Sequence, residues 1–409
     1  MNEPLATKNH YFNIAVIVAA LGYFVDIYDL LMFSIIRVES LKDLGLSAEG
    51  IKNEGLFIIN VQMLGLLAGG ILWGVLADKK GRLSVLFASI ILYSLGNIAN
   101  GFVTNTDQYA LVRFISGIGL AGELGAGITL VSELLPKDKR GVGTSLVAGI
   151  GLSGAVVAFI IKENFHWRTC YFIGGGLGFL LLFLRIKVAE SGMFESAKKA
   201  NIQKGNFWMF FNNKKRFKKY LLAILIGIPT WFVIGILISF SKEFAEKMNV
   251  IGVVDPGKSV MFAYVGLSLG DIMSGLVSQW LRSRKKALYI FYGITIIAMI
   301  WFFNLHGASA TEVYWACALL GFGIGFWAIF VTVAAEQFGT NLRATSATTV
   351  PNMVRGSLNL ITILFTALQA NQGYIGSAII TAIVCMLIAI VAAAASDETF
   401  GKDLNYMEA

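Results

Sequence analysis

Six ionisable residues stand inside stretches of sequence that are otherwise apolar: Asp26, Asp29, Arg113, Glu123, Asp271 and Arg355. A charged side chain at the centre of a membrane helix costs roughly 2.5 to 3.5 kcal/mol on insertion scales, so each needs a reason to be there. A carboxylate beside an arginine in a low-dielectric interior binds or releases a proton according to how near the arginine stands, which is the chemistry that proton coupling requires. Asp26 is the expected proton acceptor with Arg113 as its partner; Asp29, three residues on, shares its helical face, and Glu123 belongs to the same group. The competing expectation is a permanent ion pair that only fixes helix packing. A guanidinium at depth holds a carboxylate or phosphate through two parallel hydrogen bonds, so Arg355 suits an anionic or zwitterionic solute, unless Asp271 neutralises it. Tyr28, Trp231, Trp327, Asn60, Gln62, Asn352 and Asn359 are candidates for stacking and hydrogen bonding around that solute, although packing or lipid contact would explain any one of them alone.

The elements that must position these groups are membrane helices. The chain has 409 residues, 56% of them hydrophobic and 14% charged, with a mean hydropathy of +0.70. A soluble globular protein has no interior large enough for that surplus, so much of it must face lipid. Twelve apolar stretches are long enough to cross ~30 Å of hydrocarbon, which takes roughly 20 helical residues. They cover residues 12–37, 55–77, 83–104, 108–134, 142–161 and 169–186, then 220–240, 260–281, 287–305, 313–338, 344–368 and 374–394. An all-α membrane protein follows, with an N-terminal six-helix bundle over 1–187, a linker over 188–219 and a C-terminal six-helix bundle over 220–409. The first stretch is longer than a signal-peptide core and lacks a small-residue cleavage site, so it is expected to remain as span one. Asp26 then lies ~21 Å from one boundary and Arg113 about 8 Å from the other, which are compatible depths.

The formal charge of +8 reflects topology and not nucleic-acid binding. Most Lys and Arg residues fall in the tails, the linker and the loops on one side, which places both termini in the cytoplasm of an inner-membrane protein. Lys214, Lys215, Arg216, Lys218 and Lys219 close the linker and are candidates for contact with anionic headgroups. The three cysteines fall within spans and the three histidines are scattered, so no disulfide framework and no metal site are expected. Gly252 to Ser259 fits the phosphate-loop pattern, and Gly117 to Gly122 fits the dinucleotide pattern. The first lies in a loop between spans and the second inside a span, so neither has the strand-to-helix setting that nucleotide binding needs.

Two weak echoes relate the halves. Gly74 to Arg82 is followed 200 residues later by Ser274 to Arg282, and Glu133 to Arg140 is followed 203 residues later by Glu336 to Arg343. Such repeats suit a carrier that rocks one bundle against the other. The segment with Gly74, Asp78, Gly81 and Arg82 resembles the cytoplasmic signature of the major facilitator superfamily, except that Leu83 stands where a basic residue is usual and Ser278 replaces the acidic residue of the second copy. Asp26-Ile27-Tyr28-Asp29 is similar to the paired-aspartate motif of the metabolite:proton symporter and sugar-porter branches, with Ile27 for the usual glycine. Arg113 with Gly117, Gly119, Gly122 and Glu123, the segment Glu190 to Glu195 and the tail from Glu398 to Leu404 resemble other parts of those branches.

That resemblance implies two pseudo-symmetric six-helix bundles. It also implies a secondary transporter that moves a small organic anion or similar polar metabolite with protons, by alternating access around a midplane site. Proton antiport that expels a metabolite or drug would use the same carboxylates. Asp78, Arg82, Glu133, Arg140, Glu336 and Arg343, with Gly74 and Gly81, would form the cytoplasmic gate. No nucleophile or nucleotide constellation marks an enzyme, no cofactor is expected, and the working unit is expected to be a monomer in contact with membrane lipid.

Overall fold

The computed structural model describes residues 14–123, 125, 127, 131, 135, 147–184, 206–402 and 406–408, with the backbone alone at Ile14, Ala15 and Arg82. The first bundle contains α1 (Ile14–Asp43), α2 (Ala48–Lys80), α3 (Arg82–Asn100), α4 (Thr106–Leu120), α5 (Val147–Asn164) and α6 (Trp167–Leu184). The second contains α7 (Lys214–Phe232), α8 (Pro256–Trp280), α9 (Arg284–Phe303), α10 (Ala310–Glu336), α11 (Arg343–Gly356) and α12 (Leu358–Ala395). Ten helices among the described residues are long and apolar enough to cross a membrane. The fourth stretch falls short because it continues into residues outside the described set, and Arg343–Ala395 holds two crossings joined at Gly373, where φ is 67°. The architecture is therefore twelve spans in two pseudo-symmetric bundles. The linker from 188 to 205, including the Glu190 to Glu195 segment, lies outside the described residues.

Helices begin where polar side chains satisfy their first amides. Ser47 starts α2, Asn105 α4, Asp255 α8 and Ser283 α9, while Ser309 and Glu312 form a reciprocal capping box at α10. Asp255 and Pro256 thereby turn the phosphate-loop look-alike into an ordinary helix start, with Gly252 in the preceding coil. Several helices outrun the apolar stretches that announced them. Span one continues to Asp43, which makes Arg37 a buried helical residue and not a loop charge.

The internal repeat is visible in the packing. In the first bundle a Cβ on Gly65 or Gly69 would strike the carbonyls of Phe114 or Ile118, so α2 and α4 touch backbone to backbone. In the second, Gly266 faces the Ala318 carbonyl and Gly321 faces that of Ala263, joining α8 and α10 in the same way. Small residues serve this purpose in membranes, where helix association relies on close van der Waals contact. The two echo loops also match: Gly81 at the α2–α3 turn has φ 104°, and Arg282 at the α8–α9 turn has φ 49°. Outward surfaces carry Leu111, Phe183, Ile297 and Leu360, all well exposed, as lipid contact demands.

Close helix contact should therefore be intolerant of side chains. Gly266→Leu is expected to cost about 3 kcal/mol or more, seen as a marked fall in unfolding temperature in detergent. Gly293→Ala, with nothing within 4 Å of the new Cβ, should leave that temperature unchanged or slightly raised.

Candidate substrate and proton site

Asp29 and Arg113 meet in the interior of the first bundle, and neither is exposed at all. Arg113 Nη1 donates to Asp29 Oδ1 at 2.9 Å, Nη2 to the Asp29 carbonyl at 2.9 Å and Nε to Gln62 Oε1 at 3.2 Å. The Gln62 amide donates in turn to the Leu30 carbonyl at 2.9 Å, and the Tyr171 ring lies 5.6 Å from the guanidinium. The salt-bridge partner of Arg113 is thus Asp29 and not Asp26. Both carboxylates are buried, but α4 brings Arg113 to Asp29.

Asp26 is equally buried. Tyr23, three residues earlier on α1, shares the face of Asp26. Tyr23, Tyr264, Trp231, Trp327 and Arg355, with Ile27 and Leu30, line a cavity between the bundles. Its water-accessible space is only about 10 Å³, no more than a single water needs, so the site is contracted. Arg355 is 1% exposed; its Nη1 donates to Asn352 Oδ1 at 3.1 Å, and its guanidinium lies 5.8 Å from the Trp327 ring centre. It forms no salt bridge among the described residues.

Asp271 does not neutralise it. Helix α10 is broken between Gly323 and Trp327, and Asp271 Oδ1 accepts the Ala328 amide at 2.8 Å, capping the second segment. The other sequence candidates do not line the cavity. The Tyr28 hydroxyl donates to the Cys170 carbonyl at 2.8 Å, within the first bundle. Asn352 donates to the Ala121 carbonyl at 2.9 Å across the bundles, Asn359 bonds only to the Gly356 carbonyl at 3.1 Å, and Asn60 approaches Thr362 at 3.5 Å. Glu123 is buried within the first bundle.

Contacts between the bundles close both ends. On the face that carries the C-terminal tail, Asp78 Oδ2 accepts the Thr345 amide at 2.8 Å and its hydroxyl at 2.5 Å. Thr345 also donates to the Gly74 carbonyl at 3.1 Å, so Asp78 caps the start of α11 across the interface. On the opposite face Arg37 donates to Glu243 at 2.8 Å and packs 4.4 Å from the Phe240 ring, while Lys162 reaches Asp255 at 3.2 Å. Of the other gate candidates, Glu133 and Arg140, like the Arg82 side chain, lie outside the described residues. Glu336 pairs with Arg284 at 3.0 Å inside the second bundle, joined by Thr399 at 2.8 Å, and Arg343 is fully buried.

Sequence reading missed Thr345, Arg37, Glu243, Tyr23 and Tyr264. Tyr23 carried a usable signal, because it precedes Asp26 by three residues and so shares its face. Arg37 and Glu243 carried none, since each sits at the polar end of an apolar stretch where loop charges are ordinary.

Two helical bundles around a small central cavity, walled by aromatic side chains and one buried arginine, have the architecture of a membrane transporter. The family model of the Major Facilitator Superfamily matches residues 19–362, and the chain belongs to that family of solute carriers. The niacin transporter NiaP of Acinetobacter baylyi is 27% identical over 444 aligned positions, covering 99% of this chain and 97% of that protein. The sialic acid transporter NanX of Escherichia coli is 28% identical over 275 positions, covering 65% of each. The fold is similar to that of the proton:xylose symporter XylE, with a TM-score of 0.74 at 16% identity over 96% of this chain and 97% of that one.

The Arg113 pair is expected to be an anchor for α1 against α4. Asp29→Asn leaves a buried cation uncompensated and should cost about 3–5 kcal/mol, read as unfolding temperature in detergent. Adding Arg113→Gln should restore part of the loss, because the two changes act on one interaction.

Proposed function

We propose that the protein is a proton-coupled importer of a small planar organic anion, with a monocyclic aromatic carboxylate as the leading substrate class. Arg355 carries this reading. It is a buried guanidinium at the cavity wall, joined by Asn352 and the Trp327 face, with no carboxylate in salt-bridge distance among the described residues. A charge held so deep is stabilised when a carboxylate arrives. Trp231, Trp327, Tyr23 and Tyr264 supply flat apolar walls for a ring. Niacin and sialic acid, named for two of the relatives, are both carboxylic acids.

In this reading both termini face the cytoplasm of the inner membrane, in line with the placement of basic residues. Asp26 takes the proton, while Asp29 stays the salt-bridge partner of Arg113. Asp78 and Thr345 hold the inner mouth, and Arg37 and Glu243 the outer one. Expansion of the contracted cavity accompanies release of one of these closures.

Proteoliposomes with an imposed pH gradient and labelled nicotinate test the proposal. Symport accumulates label when the exterior is acidic; accumulation only under the reverse gradient would establish antiport instead. Arg355→Gln should weaken binding by about 10- to 100-fold, the loss of charged hydrogen bonds worth roughly 1.5–3 kcal/mol. In the same vesicles Asp26→Asn should keep counterflow exchange yet lose pH-driven accumulation. Retained accumulation would reassign the proton site.

A further inference from the structure

The entry to α7 is an unusual surface. Lys214, Lys215, Arg216, Lys218 and Lys219 occupy its first turns, directly after a short 3₁₀ turn, Phe207–Phe210. Asn213 caps the helix by accepting the amides of Lys215 and Arg216, so the basic run is set in regular helix from its first residue. None of the four lysines makes a salt bridge among the described residues. Trp208 is 70% exposed and Phe211 44%.

This surface is anchored from below. Phe210 is fully buried, stacked on Tyr220 at 4.4 Å and edge-on to Phe338 at 5.0 Å, which fixes the 3₁₀ turn against α7 and the end of α10. Trp208 and Phe211 are thereby held outward. The positive charge also extends sideways: burial and then the nearby Lys219 depress the Lys402 ammonium below the usual lysine range. The element combines four lysines that form no salt bridge among the described residues with an outward indole at the end of a membrane helix, on the face that carries the C-terminal tail.

We infer that the Trp208–Lys219 element is a binding site for an anionic phospholipid headgroup. Lys214, Lys215, Lys218 and Lys219 meet the phosphate and its neighbours, while Trp208 and Phe211 enter the boundary between headgroups and acyl chains. A tryptophan is amphipathic and settles at that depth, and lysines next to a membrane helix gain from anionic lipid. A free phosphate would satisfy the lysines but leave Trp208 and Phe211 in water, so the lipid is the occupant that accounts for both.

The test is a titration of the purified full chain in maltoside micelles, with unfolding temperature as the readout. Dioleoylphosphatidylglycerol should raise that temperature and dioleoylphosphatidylcholine should not. Lys218→Gln should move the phosphatidylglycerol midpoint about fivefold higher, the weight of one basic residue near an anionic surface. Lys218→Arg should restore the midpoint, and Trp208→Ala should also weaken binding while leaving the unfolding temperature in phosphatidylcholine unchanged. Equal stabilisation by the two lipids would overturn the inference, as would a midpoint unmoved by both Lys218→Gln and Trp208→Ala. Inorganic phosphate alone reproducing the shift would replace the lipid site with an ion site.

Discussion

Charge placed where water cannot reach governs this molecule. Arg113 and Arg355 are both buried arginines, yet they are treated in opposite ways. Arg113 has Asp29, the Asp29 carbonyl and Gln62 around all three of its nitrogens, so its environment is complete in the resting protein. Arg355 has one side-chain amide and an aromatic face. Interactions in a low-dielectric interior are stronger than in water, and an incomplete set is correspondingly unfavourable. The first arrangement is therefore a fixed joint between α1 and α4, while the second is a site whose most favourable state includes something brought from outside.

A similar contrast separates contacts within a bundle from contacts between bundles. Within a bundle, glycines let α2 meet α4 and α8 meet α10 backbone to backbone, and no water or side chain can replace that packing without moving a helix. Between the bundles the closures are polar: Asp78 with Thr345, Arg37 with Glu243, Lys162 with Asp255. Each of these groups can be hydrated once parted, so separating the bundles exchanges one set of hydrogen bonds for another. That is the physical condition for bundles that move as bodies. It also explains why the central cavity is contracted when both ends are held.

Much of this was legible in the sequence, and the failures have definite causes. Span number, the duplicated halves and the signature around Asp78 follow from hydropathy, spacing and resemblance. The choice between Asp26 and Asp29 did not. Three residues on one helix differ by ~4.5 Å in height, while a boundary read from hydropathy is uncertain by several residues, so depth arithmetic cannot tell the two apart. Asp271 was legible as a buried charge but not as a helix cap, because its partner amide exists only where α10 breaks after Gly323. Thr345 looked like one of many small polar residues until α2 was laid against α11.

Those last two misses lead to the same feature. Irregular backbone inside a membrane is tolerated only where other groups satisfy it, and the second bundle contains two such places beside the cavity. One is the break in α10, whose freed amide is taken by Asp271. The other is the π-helical turn Val233–Ile238 that follows α7, one turn beyond Pro229, where the Ser239 hydroxyl donates to the Ile234 carbonyl at 2.8 Å and Arg37 reaches the Ser239 carbonyl at 3.3 Å. Regular helices resist bending because each residue is tied one turn back; a π turn and a capped break are where that tie is already altered. In the first bundle Arg113 and Asp29 close upon one another. The π turn and the capped break are thus deformable places in the wall next to Arg355, and Arg37, reaching across from α1 to the end of the π turn, ties that segment to the first bundle when the outer mouth is shut.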